Sequence, residues 1–287
     1  MTVVYAGDFP DPYVLRTGSS YLAFATETRG LDVQVMASPD LHSWTHLGNA
    51  LAALPSWAQA GHTWSPAVLE RPHGYVLYYA TRLAVEGRQA ISVAVADRPE
   101  GPYVDRSSAP LVYQRSRGGS IDPDPFVDED GRAYLVWKSD DNAFGRRSSL
   151  WVRELTADGL GFSGRPVRVL KHALAWEQPL VEAPCLVRVG SQVHLLYSAG
   201  QWESRAYGVG HAVGTRPTGP FRVTTQEGPW LSGTYGPGGQ SVVEDVSGGL
   251  QLAYHGWLDG LVGYARGGVR ALHVDPLDLA GGVPRLG

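Results

Sequence analysis

Short apolar runs alternate with polar turns along the whole chain, and no long window shows apolar residues at the i, i+3, i+4 and i+7 spacing of an amphipathic helix. The runs are bounded by Gly, Pro, Asp and Asn, which is the pattern of β-strands joined by tight turns. Two of the turns, Asp130-Gly131 and Gly248-Gly249, carry residue pairs that are typical of hairpins. The pattern therefore predicts an all-β protein.

A repeated phrase, in which a small or acidic residue precedes an apolar strand, divides the chain into five parts. The phrase begins at Asp11, Ser65, Asp122, Ala183 and Gly239. In the first four cases proline follows at positions 12, 66, 123 and 184, so these phrases are separated by 54, 57 and 61 residues. Second strands are predicted over 21–26, 75–80, 134–139, 194–199 and 250–255, and third strands over 33–38, 91–96, 150–155, 207–212 and 269–275.

A short outer segment after the third strand completes each unit. Four short strands repeated five times predict an all-β, five-bladed β-propeller, with four-stranded blades around a central channel. The repeat is longer than the ~40–45 residues of WD40 blades and the ~50 residues of kelch blades. A two-sheet sandwich would accommodate short strands but would not require a fivefold phrase. We predict one domain over 1–287, with blades at about 6–60, 61–115, 116–175, 176–230 and 231–287.

The propeller turns the repeat into a candidate site, because equivalent residues of the innermost strands meet at one end of the channel. Three carboxylates occupy this ring: Asp11, Asp122 and Glu182, the last standing one residue before its phrase. Ser65 and Gly239 or Gln240 complete it. Crowded carboxylates are unfavourable unless they bind something or do chemistry. Glycoside hydrolysis uses such a set, with a base that activates water and an acid that protonates the leaving oxygen.

Four short motifs, in order and at blade spacing, resemble those of glycoside hydrolase family 43, and the resemblance extends over essentially the whole chain. They are Phe9-Pro10-Asp11-Pro12, Thr63-Trp64-Ser65-Pro66, Ile121-Asp122-Pro123 followed by Phe126-Val127-Asp128-Glu129-Asp130-Gly131, and Val181-Glu182-Ala183-Pro184. The resemblance implies an inverting, metal-independent glycosidase acting on α-L-arabinofuranosides or β-D-xylosides. It implies that Asp11 is the general base, that Glu182 is the general acid, and that Asp122 modulates the pKa of Glu182 and orients it.

The resemblance and the repeat also suggest residues that bind the substrate. Trp64 matches the second-blade tryptophan that flanks the sugar, and Arg270 stands where the family often has an arginine near the bound sugar. Ser65 and Gln240 are candidates as ring members. His255 ends a second strand and is interpreted either as a contact with substrate or channel water, or as a core histidine. Trp202 is a candidate platform at the rim, whereas Trp137, Trp151 and Trp176 are expected to pack inside or between blades.

One departure from the family concerns metal. Many members have Gly-Pro-Gly-His in the fifth blade, where the histidine binds a central calcium or water. Residues 236–241 of this chain read Gly-Pro-Gly-Gly-Gln-Ser. Gln240 would be a poor lone metal ligand, so we expect no required cofactor and doubt a central calcium. The acidic run 128–131 lacks the later ligand of an EF-hand loop and is better explained as a hairpin turn.

Charge and composition narrow the partners and the location. The formal net charge is −4, without a basic stripe, so nucleic acid is not an expected partner. No apolar run approaches the ~20 residues needed to span a membrane. Cys185, the one cysteine, lies among apolar residues and is expected to be buried. The first twelve residues show no signal peptide, so we expect a cytoplasmic protein, or a secreted one if a signal has been trimmed. The oligomeric state stays open.

The leading functional hypothesis is an exo-acting, inverting α-L-arabinofuranosidase on arabinose-containing oligosaccharides. A β-D-xylosidase or a bifunctional xylosidase/arabinofuranosidase is the alternative within the same chemistry. A non-catalytic carbohydrate-binding propeller is the alternative of another class, and it predicts loss of at least one of the three carboxylates, which are all present. A retaining fructan hydrolase or a glycoside phosphorylase is a third reading. A phosphorylase would need a basic phosphate pocket, for which Arg270 is the evident channel candidate.

Overall fold

The computed structural model describes residues 2–28 and 30–287. The described chain forms twenty strands: β1 (Val3–Tyr5), β2 (Tyr13–Thr17), β3 (Ser20–Ala25), β4 (Gln34–Ser38), β5 (Thr45–Asn49), β6 (Ala58–Arg71), β7 (Gly74–Leu83), β8 (Gln89–Ala96), β9 (Ser120–Val127), β10 (Ala133–Ser139), β11 (Ser149–Leu155), β12 (Phe162–Lys171), β13 (Val181–Val189), β14 (Gln192–Ala199), β15 (Gly208–Gly214), β16 (Arg222–Val223), β17 (Gly238–Glu244), β18 (Leu250–Trp257), β19 (Arg270–Asp278) and β20 (Arg285–Leu286). Short 3₁₀ helices cover Arg115–Arg117, Asp141–Phe144, Ala175–Glu177, Leu258–Gly260 and Tyr264–Arg266. Within residues 2–28 and 30–287, none of the helices is both long and apolar enough to cross a membrane.

The strands form five antiparallel sheets arranged in a ring. Blades one to four contain β2–β5, β6–β8, β9–β12 and β13–β16, and each follows chain order from its innermost strand outward. The innermost strands contact one another in sequence, from β2 to β6, β9, β13 and β17 and back to β2. This closed circuit confirms the predicted five-bladed β-propeller.

The second blade differs from the others at its outer edge. Instead of a fourth continuous strand, it has isolated bridges that join Val104 to Val95 and Val112 to Ile91. The segment between these bridges contains Pro110, which has no backbone N–H to donate to a ladder. The outer position of this blade is therefore occupied, but only by short contacts.

The fifth blade is completed by a strand from the other end of the chain. β17, β18 and β19 form its inner part, and β1 pairs with β19, with Val3 opposite His273 and Tyr5 opposite Leu272. β20 pairs with the end of β19. Val3–Tyr5 carries none of the repeat phrase, so the sequence pattern did not reveal this closure.

Five clusters of buried apolar side chains lie at the five junctions between neighbouring blades. Trp137 is buried between blades two and three, where Trp151 is half-buried, and Trp176 packs between blades three and four. Cys185 is buried between blades four and five. Full burial of a large apolar side chain stabilises a fold by about 1.5–3 kcal/mol, so these junctions hold the ring together. The sequence-based placement of these four residues is confirmed.

Candidate active site

One backbone feature recurs in or directly before every innermost strand. The first residue of each phrase has a left-handed conformation, with φ of +53° at Asp11, +47° at Ser65, +54° at Asp122, +45° at Ala183 and +58° at Gly239. Non-glycine residues rarely adopt this conformation, which costs about 1–2 kcal/mol for an L-residue. Its fivefold repetition indicates that the ring contacts described below maintain it. The five residues face the same end of the channel.

A cavity of about 690 Å³ opens at this end of the channel. It is lined by all three ring carboxylates and by three of the five predicted binding residues, Trp64, Ser65 and Arg270. Aromatic and further charged side chains complete the wall, among them Asp8, Glu27, Lys138, Asp140, Asn142, Gln201, Trp202, Tyr207 and Tyr264. The other two predicted binding residues, Gln240 and His255, lie beneath the cavity rather than on its wall. The combination of aromatic surface and converging polar groups is typical of a site for a small polar ligand.

Asp11 is held as an anion. Its Oδ2 accepts a hydrogen bond of 2.7 Å from the Thr26 hydroxyl, and its Oδ1 lies 3.6 Å from Arg270 Nη1 and 3.3 Å from His255 Nδ1. Burial alone would raise the pKa of Asp11, but the Arg270 guanidinium and the Thr26 hydroxyl oppose it, and this pKa lies well below its usual value. An ionised carboxylate facing the cavity can accept a proton from water.

Arg270 is fixed on the same side of the cavity. Its Nε donates a hydrogen bond of 2.9 Å to the Tyr264 hydroxyl, and its backbone N–H donates to Asp8. The guanidinium also lies 5.1 Å from the ring centre of Trp202, which stacks on Trp257. These contacts position the cation beside Asp11 and place Trp202 on the cavity wall, where the sequence suggested a rim platform.

Asp122 has the opposite electrostatic character. Its two oxygens accept hydrogen bonds of 2.9 Å, one from the Ser65 hydroxyl and one from the backbone N–H of Ala183. Burial and the neighbouring Glu182 raise the pKa of Asp122 to about 7, although Lys138 partly offsets them. Asp122 therefore keeps its proton up to about neutral pH, beside the carboxyl of Glu182.

Glu182 is oriented by two donors. The Tyr207 hydroxyl donates a hydrogen bond of 2.8 Å to Oε1, and Lys138 Nζ lies 3.2 Å from Oε2. Burial raises the pKa of Tyr207 well above its usual value, so the phenol stays a donor throughout the pH range of interest. The carboxyl of Glu182 is therefore held in a defined position on the cavity wall, between the Tyr207 hydroxyl and the Lys138 ammonium.

A continuous belt of hydrogen bonds links the five blades around the channel, beneath the cavity floor. It passes between side chains and backbone groups of neighbouring blades, so Asp11 and Asp122 are both held by groups from an adjacent blade. The bonds run from Ser65 N–H to Thr26, from Thr26 to Asp11, from Ser65 Oγ to Asp122, from Ala183 N–H to Asp122, from Gln240 Nε2 to the Ala183 carbonyl, from Ser198 to Gln240, from Gly239 N–H to Ser198, and from Asp11 N–H to His255.

Comparison with known families agrees with this geometry. Residues 1–280 match the family described as Glycosyl hydrolases family 43. The chain belongs to this family.

Family 43 relatives differ in their named activities. The chain is 28% identical over 242 residues to a β-D-galactofuranosidase of Aspergillus niger, covering 78% of this chain and 66% of that protein. It is 25% identical over 241 residues to an extracellular endo-α-(1→5)-L-arabinanase of Bacillus subtilis, covering 74% of this chain and 49% of that protein. The chain thus spans less than two thirds of the length of these relatives.

A solved structure described as a thermostable family-43 glycoside hydrolase is 27% identical to the chain. It superposes with a TM-score of 0.86, covering 97% of this chain and 92% of the other. The propeller and the order of its blades are therefore common to both proteins. The names of the relatives include more than one sugar, so the family alone leaves the substrate of this chain open.

The channel beneath the site does not suit the calcium that many family-43 members hold. The Gln240 amide is already engaged, since its Oε1 accepts a hydrogen bond from Ser198 and its Nε2 donates to Ala183. Asp124 also lines the channel, but burial raises its pKa to about 8, because hydrogen bonds from Leu186 and Cys185 offset burial only in part. A neutral carboxyl and an engaged amide are poor calcium ligands. Absence of a required metal stays a prediction.

His255 supports Asp11 from below. Its ring is fully buried, stacks on Tyr207 with an interplanar angle of 7°, and accepts the backbone N–H of Asp11 at 3.0 Å. Burial lowers its pKa although Asp11 partly offsets the effect, so the ring is neutral at neutral pH. This placement fits the interpretation of His255 as a core histidine better than that of a substrate contact, and Gln240 likewise acts through the belt.

Several residues of the site were not found from the sequence. Lys138, Asp140 and Tyr207 lie outside the repeat phrases, and each reaches the cavity from a different part of its blade. For Lys138 a signal was present: it is a lysine within the otherwise apolar strand Ala133–Ser139. A charge in a buried strand needs a partner, and here the partner is the predicted general acid.

Proposed function

We propose that this family-43 chain is an inverting, exo-acting α-L-arabinofuranosidase that acts on arabinose-containing oligosaccharides. The observation that carries the proposal is the contrast between its carboxyls within one cavity. Asp11 is held as an anion, whereas burial and the neighbouring Glu182 raise the pKa of Asp122 to about 7. Carboxyls pushed toward opposite protonation states are the usual basis for assigning acid and base.

In the proposed reaction, Asp11 accepts a proton from a water molecule that attacks the anomeric carbon. Glu182 donates its proton to the glycosidic oxygen as the bond to the anomeric carbon breaks. Asp122, hydrogen-bonded to Ser65 and Ala183, lies beside Glu182 as the residue that modulates its pKa and orients it. Arg270 keeps Asp11 ionised, and His255, which accepts the backbone N–H of Asp11, keeps it in place. Inversion follows because water, not a carboxylate, attacks the anomeric carbon.

The choice of sugar rests on the relatives. Activities on arabinose-containing substrates recur among their names, including endo-arabinanases, a xylosidase/arabinosidase and an arabinoxylan arabinofuranohydrolase. A β-D-xylosidase or bifunctional activity is the second candidate, since other relatives are named β-xylosidases. The cavity volume of about 690 Å³ lies in the range of sites for small ligands, which accommodates a short oligosaccharide.

Turnover of aryl α-L-arabinofuranoside and of aryl β-D-xyloside under identical conditions tests the proposal. We expect a higher kcat/KM for the arabinofuranoside, release of single arabinose units from oligosaccharides, and first formation of the inverted anomer by proton NMR. Higher kcat/KM for the xyloside would favour the second candidate. Retained configuration would contradict the assigned roles. Binding of sugar without turnover, unchanged in an Asp11→Asn variant, would identify a non-catalytic carbohydrate-binding propeller.

A further inference from the structure

Lys138 is a buried cation that joins two carboxylates of the cavity. It lies near the end of β10, and its side chain is only 2% exposed. Its Nζ lies 3.1 Å from Asp140 Oδ1 and 3.2 Å from Glu182 Oε2. Burying an ammonium group is strongly unfavourable unless it is paired and hydrogen-bonded. The location of Lys138 therefore depends on both carboxylates, and both line the substrate cavity.

The groups around Glu182 come from four parts of the ring. Lys138 approaches from β10, Asp122 from β9, and Tyr207 from the segment before β15. Asp140, which follows β10, reaches Glu182 only through Lys138. Asp11 adds a negative charge that raises the pKa of Asp122 further. Lys138 is thus the cation in direct contact with the predicted acid, and Asp140 is the group that shares its charge.

We propose that Lys138 and Asp140 are positioning residues that together set the pH at which Glu182 can act as general acid. This inference rests on the proposed function. Lys138 fixes Glu182 Oε2 and, as a cation, favours ionisation of the carboxyls beside it, Asp122 among them. Asp140 opposes that effect, because its carboxylate neutralises part of the ammonium charge. The two residues therefore act on the acid in opposite directions.

The physical argument gives the sign of each effect. A cation within about 4–6 Å of a carboxyl lowers its pKa by about 1–3 units. Lys138 does so for Asp122, against burial and Glu182, which raise that pKa to about 7. Removing the ammonium should let Asp122 keep its proton to higher pH. Removing the charge of Asp140 should leave more of the ammonium field on Asp122 and Glu182, so that Asp122 loses its proton at lower pH.

The test is the pH dependence of kcat/KM for an arabino-oligosaccharide, whose poor leaving group needs the acid. The basic limb of this profile reports the acid in the free enzyme. We expect Lys138→Met to move the basic limb up by about 1–3 pH units and Asp140→Asn to move it down. Asp141→Asn is the matched control, because Asp141 accepts a hydrogen bond from Ser139 and pairs with Arg117. Its basic limb should coincide with that of the parent protein.

Shifts in the same direction, or profiles that coincide with the parent profile, would overturn the proposal. If Lys138→Met does not fold, as judged by circular dichroism, the test rests on Asp140→Asn, whose basic limb should move to lower pH. A merely structural role would lower kcat without moving the limb. The same shifts can be read without turnover, from the carboxyl ¹³C titration of Asp122 and Glu182 in labelled protein. Opposite ¹³C shifts in a protein without pentosidase activity would refute the proposed function but support the Lys138–Asp140 coupling.

Discussion

Gly239 lies directly against the carboxylate of Asp11, across the junction between the fifth and first blades. A β-carbon at position 239 would lie 2.6 Å from Asp11 Oδ1 and 2.5 Å from His255 Nδ1. The backbone of Gly239 also has a φ of +58°. Close approach and conformation together explain why the fifth phrase begins with glycine, where the other four have a side chain. The absence of a side chain at this position leaves room for the base.

Gly239→Ala should therefore damage the site as well as the fold. The new methyl group must displace Asp11 or His255, and a displacement of about 1 Å near reacting groups can cost about 100-fold in rate. Gly18→Ala is the matched control, since Gly18 has a φ of +65° and open space around it. Both variants should lose about 1–2 kcal/mol of stability for the left-handed conformation. Only Gly239→Ala should lose about 100-fold in kcat/KM, and equal kinetics in the two variants would refute the argument.

Leaving-group dependence should separate the acid from the base. Glu182→Gln removes the proton donor, so hydrolysis of an oligosaccharide should fall by about 10²–10⁴-fold while a dinitrophenyl glycoside, which leaves unaided, keeps much of its activity. Asp11→Asn removes the base that water attack requires, so both substrates should be affected alike. The measurement is kcat/KM of each variant on both substrates. Leaving-group dependence in the Asp11 variant instead would reverse the assignment.

Chelation should leave activity nearly unchanged. Gly239-Gln240 replaces the histidine of the family motif, the Gln240 amide is engaged by Ser198 and Ala183, and Asp124 in the channel has a pKa raised to about 8. The measurement is kcat/KM on an aryl glycoside before and after dialysis against EDTA, with and without added calcium. Loss of activity on chelation that calcium restores would show that other ligands hold an essential ion.

Buried histidines should make the fold sensitive to acid. Burial and the neighbouring His194 lower the pKa of His211 to about 3, so folded His211 stays neutral while the unfolded residue takes up a proton near pH 6.5. Its contribution to the free energy of unfolding is complete above pH 6.5 and falls by about 1.4 kcal/mol per pH unit below it. Between pH 6.5 and 4.5, the free energy of unfolding of His211→Gln should fall by about 2–3 kcal/mol less than that of the parent protein. Urea unfolding at each pH measures this difference.

The exposed His73 offers the control for this measurement, because His73→Gln removes a histidine from a turn. Raised carboxyls act in the opposite direction: Asp122 and Asp124 favour the folded state at low pH and lose that effect as pH rises toward 7 and 8. The comparison of variant with parent isolates His211 from these groups. Equal slopes for His211→Gln, His73→Gln and the parent protein would contradict the prediction.

The sequence predicted the ring carboxylates because their positions repeat. Asp11 and Asp122 begin their phrases, and Glu182 precedes its own, so the propeller geometry alone brought them to one end of the channel. The repeat predicts the position of the backbone, but not whether the side chain at a ring position points into the cavity. Gln240 satisfied the pattern and yet turns its amide to Ser198 and Ala183, because those hydrogen-bond partners come from the neighbouring blade.

Residues outside the repeat were harder to predict. Lys138 belongs to a second strand, and its contact with Glu182 of the next blade joins residues that are 44 apart in sequence. Tyr207 reaches Glu182 from a connecting segment whose path no local pattern determines. The same limit applies to β1, since three residues without a phrase give no indication of which sheet they join.

The closure by β1 gives the ring a seam, and the proposed base lies on it. The first and fifth blades meet there through hydrogen bonds from Phe9 N–H to the Arg270 carbonyl and from Arg270 N–H to Asp8. Asp11 is made well before Arg270, which holds it ionised, and before His255, which holds its backbone in place. During synthesis the base therefore acquires its electrostatic partners only when the last blade joins the first strand. The proposed hydrolytic activity should therefore appear in one step, when the last blade pairs with the first strand. The onset of activity would then report closure of the ring.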